Sequence, residues 1–136
     1  MKRFIILFLL IKISTSAFCQ TQSYSKLENQ LNLLYKNNVT GKLKYIFINR
    51  FNKSIDISGF QVVLDSVQAT YYFDNTAKAI YQNKVEIECV SNGSRNCLKN
   101  AINGDSSGLS IPFKNKSACY EFINILSEIK ELMDNH

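Results

Sequence analysis

The chain has 136 residues, 46% of them hydrophobic and 20% charged, with five glycines and one proline. That composition implies one small globular domain and excludes disordered, collagen-like and repeat architectures. The formal charge is +5 and the single histidine is His136, which removes histidine-dependent triads and most histidine-ligated metal sites from consideration.

Residues 1–19 have a basic start (Lys2, Arg3), an apolar stretch from Phe4 to Ile13 interrupted by Lys12, and small residues from Ser14 to Ala17. This is the layout of a secretory signal peptide. The apolar stretch is about half the length needed to cross a bilayer, so no membrane span is expected. Ala17 and Cys19 suit positions −3 and −1 of a cleavage site, which makes Gln20 the first residue of an exported, periplasmic or secreted chain. The ending Ala-Phe-Cys-Gln resembles signal peptides of Gram-negative bacteria. The alternative is a lipoprotein anchored through Cys19, although Ser16 and Phe18 fit a lipobox poorly. Loss of Lys2, Arg3 and Lys12 lowers the formal charge to +2, so the basic character does not argue for a nucleic-acid partner.

The remaining residues, 20–136, form a single domain in this reading. Over about 23–38, Leu27, Leu31, Leu34 and Tyr35 share one face of an amphipathic helix, with Lys26, Glu28, Asn32 and Lys36 on the other. From about 42 to 113 the apolar period becomes two-fold. Leu43, Tyr45 and Phe47 alternate with Lys42, Lys44 and Arg50, while Ile46 and Ile48 make the second face apolar as well. Turns are expected at Asn52-Lys53 and Asp74-Asn75 and a strand break or a bulge at Gly59, and a hairpin at Asn92-Gly93 joins the strand Val85–Cys89 to a return strand with Cys97 and Leu98. Pro112 cannot donate to a ladder, so the strand Leu109–Phe113 lies at an edge or turns the N–H side of that residue outward. From about 115 to 134, Cys119, Phe122, Leu126, Ile129 and Met133 form one buried seam of a terminal helix, with Asn115 or Ser117 as its N-cap.

The fold class is therefore α+β: an N-terminal helix, six or seven antiparallel strands forming a curved sheet or partly open barrel, and a C-terminal amphipathic helix. The order of elements over about 42–134, the stretch Val85 to Cys97, and Leu109 to Phe113 running into the helix resemble the pleckstrin-homology-like β-barrel closed by a C-terminal helix. The helix 23–38 departs from that pattern, and cystatin-like α+β folds are the competing topology.

Cys89 and Cys97 lie symmetrically about Gly93, so a regular hairpin sets them opposite one another at disulfide distance, and an exported protein meets an oxidising compartment. Cys119, on the apolar seam, is read as a buried thiol. Lys42, Lys44, Arg50 and Lys53 cluster on the first strand and turn, where the resemblance implies a basic binding surface; a solvated strand face explains the same alternation. Glu86 and Glu88 are read as a solvated face, since no second element supplies an opposed carboxylate across a cleft. No phosphate loop, nucleophile elbow or metal-ligand spacing occurs, so neither a cofactor nor a metal is expected, and an enzyme is disfavoured.

The function expected is that of an exported, non-catalytic binding or accessory domain. Its partner is a protein or envelope-associated ligand, recognised by a strand edge, a loop or the groove beside the last helix. The rivals are a small apolar-ligand carrier with a cavity lined by Phe47, Phe73 and Ile87, and an enzyme without a recognisable motif. Nothing in the sequence specifies an oligomeric state.

Overall fold

A computed structural model describes residues 23–39, 45–90, 97–102 and 104–135. Helix α1 covers 23–38. Seven strands follow: β1 Ile46–Asn49, β2 Ser54–Ile57, β3 Phe60–Val63, β4 Val67–Phe73, β5 Asn83–Cys89, β6 Leu98–Asn100 and β7 Gly108–Phe113. Helix α2, Lys116–Asp134, closes the chain. All strand pairs are antiparallel and form two open sheets, in the orders β1-β2-β3-β6 and β4-β5-β7.

Both helices bury the stripes their spacing announces. In α1 these are Leu27, Leu31, Leu34 and Tyr35, joined by Tyr24; in α2 they are Cys119, Phe122, Leu126, Ile129 and Met133, joined by Ala118 and Ile125. The Asn115 side chain accepts the Ala118 N–H at 2.8 Å, which satisfies one of the orphan donors in the first turn of α2. α2 packs across the three-stranded sheet, where Phe122 meets Phe113 of β7 with ring centroids 5.2 Å apart and Tyr35 of α1 at 6.1 Å. The last carbonyls of α1 are met by Lys114, whose N–H donates to Asn38 at 2.7 Å and whose ammonium donates to Asn37 at 2.7 Å.

The first strand turns the opposite face inward from the one expected. Ile46 and Ile48 are buried, while Tyr45 and Phe47 are 50% and 54% exposed. Ile46 opposes Ile57 and Ile48 opposes Ile55, so four isoleucines share one buried face. Cross-strand packing of β-branched side chains decides between two apolar faces that the sequence leaves similar. β2 returns to β3 through Ser58-Gly59, both at positive φ, 54° and 93°, which is the backbone of a two-residue hairpin turn and the reason a glycine sits there. Pro112 lies in β7, at the edge of its sheet, as expected.

A second departure concerns β6. β5 lies between β4 and β7, and β6 pairs with β3 instead, setting Leu98 opposite Val62. The expected hairpin ladder between Val85–Cys89 and the strand of Leu98 therefore does not form, and the Asn92-Gly93 turn lies outside the described residues. Both flanks of β5 are already taken, and Leu98, fully buried, joins the core through the other sheet.

A third correction falls on α1. Asn32 and Glu28, expected to face solvent, bind the outer edge of β1. The Asn32 amide donates to the Ile46 carbonyl at 2.9 Å and accepts the Ile46 N–H at 2.9 Å, and Glu28 Oε2 accepts the Ile48 N–H at 2.9 Å. Helix side chains here replace a missing neighbouring strand and close an edge that would otherwise template pairing. Asn32→Ala should cost about 1–3 kcal/mol, because it strands a partly buried backbone donor and acceptor together. Hydrogen exchange should show loss of protection at Ile46 well before global unfolding, with the Asn32→Asp chain, which keeps the acceptor, intermediate.

Candidate functional site

α1 and α2 enclose a cleft of about 760 Å³. Its base is apolar, with Leu27 from α1 and Ile125 and Leu132 from α2, and its α2 wall carries Glu121, Glu128 and Glu131, faced by Lys26 of α1. The spacings of seven and three residues between the glutamates place them on one stripe of α2, next to the buried seam. Among the described residues no ion pair involves these three carboxylates. A domain of positive formal charge thus holds a locally acidic groove. The sequence marks these glutamates only as lying off the apolar seam of the helix, because the groove exists only once α1 docks beside α2.

The basic cluster is divided. Lys42 and Lys44 lie outside the described residues. Arg50 and Lys53 sit in the β1–β2 turn, with the Arg50 guanidinium 4.8 Å from the Tyr24 ring centroid and Lys53 Nζ 3.5 Å from Asp134. Asp134 is the last residue of α2, at the negative end of the helix dipole, and Lys53 offsets that unfavourable placement. These two cations therefore anchor the turn to both helices. Both partners of the Lys53 pair are about half exposed, so its contribution to stability is small.

Cys89 and Cys97 form the expected disulfide, with Cα atoms 5.7 Å apart. It joins the end of β5 in one sheet to the residue before β6 in the other, so the link staples two sheets. Cys119 is a free, fully buried thiol, pushed up to about 11 by burial, and is accordingly a poor nucleophile. Burial likewise pushes the Tyr35 phenol up to about 12. Glu86 accepts the Ser110 hydroxyl at 2.7 Å, across the face of the three-stranded sheet. The three residues expected to line a carrier cavity do not converge: Ile87 is fully buried, whereas Phe47 and Phe73 are more than half exposed.

The chain matches no protein-family model, no curated protein and no solved structure.

One electrostatic arrangement was not visible in the sequence. Asp74 accepts the Lys84 ammonium at 2.8 Å and the Thr76 hydroxyl at 2.7 Å, which close the β4–β5 connection. The Lys84 hydrogen bond, then those from Thr76, hold the Asp74 carboxyl well below the usual carboxylate range, and Lys84 is raised in turn. A depressed folded-state value means that the stabilisation is complete above the unfolded value, about 3.9, and is lost as pH falls through the folded one. Asp74→Asn should lower the melting temperature at neutral pH and flatten the fall in stability on acidification from about pH 6 to about pH 2. Equal slopes in the two proteins would show that Asp74 is not a source of that fall.

Proposed function

We propose that this protein is an exported, non-catalytic binding domain that receives a protein or envelope-associated partner in the groove between α1 and α2. The observation that carries the reading is that groove itself: an apolar base flanked by three carboxylates, none of them in an ion pair among the described residues, against one lysine, Lys26. Helix-in-groove recognition uses an apolar floor for anchoring and rim charges for orientation. The pleckstrin-homology-like resemblance is supported by the order of strands followed by a C-terminal helix. Export is supported by the signal-like residues 1–19 and by the disulfide, which suits an oxidising compartment. Among the described residues no helix is long and apolar enough to cross a membrane.

Intact-mass measurement of the exported product should give a chain beginning at Gln20; a diacylated chain beginning at Cys19 would make the protein a membrane-anchored one. For the groove, a photo-crosslinking residue replacing Asn124, an exposed groove position, should give one discrete adduct in cells, and Glu128→Lys should abolish it. The same residue replacing Lys99, exposed on β6 of the four-stranded sheet, should give none. Absence of an adduct at position 124, or an adduct indifferent to Glu128→Lys, would overturn the reading.

A further inference from the structure

Two open sheets present four edge strands, and three of them are occupied by other parts of the chain. Asn32 and Glu28 bind the edge of β1. Ser106 bridges the outer side of β6 at Leu98. Val39 bridges β7 at Phe113, and Pro112 removes a donor from the same edge. The fourth edge is β4, Val67–Phe73, seven residues without a charge or a proline. Among the described residues its outer side has no strand beside it. Charges, prolines, short length and covering segments are the devices that keep edge strands from pairing between molecules, and among the described residues β4 shows none of them.

The sequence of β4 is complementary to itself. Its first half is small or polar (Val67, Gln68, Ala69) and its second half aromatic (Tyr71, Tyr72, Phe73), with Thr70 at the centre. Tyr72 and Phe73 are 52% and 51% exposed, although they lie on opposite faces of the strand. We propose that β4 is a self-association edge, along which two copies of this chain pair antiparallel about a two-fold axis through Thr70 to form one continuous six-stranded sheet. In that register Val67 faces Phe73 of the second copy, Gln68 faces Tyr72, Ala69 faces Tyr71, and Thr70 faces Thr70. Each aromatic ring is set against a small or polar side chain, and the central pair is a Thr–Thr pair.

The flanking strand fits the same arrangement. Glu88 lies beside Gln68 and Lys84 beside Tyr72, so each Gln68–Tyr72 rung ends in Glu88 of one copy and Lys84 of the other, opposite in sign but three strand spacings apart, so that charge does not oppose the pairing. The two Glu86 residues, beside Thr70, end up three strand spacings apart, about 14 Å, where salt screens their repulsion. An isologous interface of this kind closes as a dimer and leaves no further β4 edge to propagate. One strand pair buries less than about 1,200 Å², the range of weak contacts, and a dissociation constant on the order of 100 µM is expected.

Sedimentation equilibrium of the purified protein should show a monomer–dimer equilibrium. Thr70→Lys places two ammonium groups on the axis at an exposed position and should weaken association at least tenfold without changing the thermal melt. Thr70→Cys, in a chain that also carries Cys19→Ser, should form a covalent dimer under mild oxidation, because opposed Cα atoms of an antiparallel pair lie about 4.5–5.5 Å apart. Gln68→Cys in the same background should not, since its counterpart lies several residues away. A protein that stays monomeric to millimolar concentration, association that survives Thr70→Lys, or equal cross-linking from positions 68 and 70 would each overturn the proposal.

Discussion

Replacing Phe122 with alanine should cost about 3–5 kcal/mol, the range for deleting a fully buried aromatic side chain and leaving its cavity. Phe122 is fully buried on the seam of α2 and touches two other aromatic rings, Tyr35 from α1 and Phe113 from β7. It therefore joins both helices and the three-stranded sheet at one point, and the surrounding elements cannot collapse into the space without moving relative to one another. A loss of that size approaches the whole stability of a small domain. Denaturant titration should show the shift in midpoint, whereas Glu128→Ala, on the exposed wall of the groove, should change it by under about 0.5 kcal/mol. Equal midpoints for the two variants would mean that α2 is not docked through this stripe.

The second large effect belongs to the disulfide. Cys89→Ala together with Cys97→Ala should destabilise the protein by roughly 2.5 kcal/mol, the loop-closure value for a link spanning about nine residues. The eight-residue separation is short, but the link joins two sheets that share no hydrogen-bonded strand pair. Its removal is therefore expected to raise amide exchange first in β6, a strand of three residues, and at Cys89. Non-reducing peptide mapping should recover the Cys89–Cys97 linkage with Cys119 unmodified until the protein is unfolded. A linkage involving Cys119, or an unchanged midpoint in the double variant, would contradict this account.

Much of the architecture was legible along the chain. The three- and four-residue spacing of Leu27, Leu31 and Leu34, and of Phe122, Leu126 and Ile129, needed no partner to identify two helices and their buried faces, because helical period is a property of neighbouring residues. The Asn115 cap, the Asp74 turn, the interruption at Gly59 and the edge position of Pro112 are local in the same sense, although whether Gly59 bulges the strand or reverses it is not. The pairing of Cys89 with Cys97 is also legible, though through a β5–β6 ladder that does not form: closeness in sequence stands in for a closeness that the two sheets create.

What the sequence alone determined is the set of elements, their buried stripes and their turns, all dictated by backbone sterics and periodicity within a few residues. Only the tertiary structure decided which face of β1 turns inward, since Ile46 and Ile48 compete with Tyr45 and Phe47 until the isoleucines of β2 lie across from them. The same holds for the partner of β6, for the employment of Asn32 and Glu28 at an edge fourteen or more residues away in the chain, and for the acidic groove. Strand neighbours, closed edges and clefts arise from contacts between distant segments, whose free energy depends on how helices and sheets dock together; no window along the chain contains both sides of such a contact.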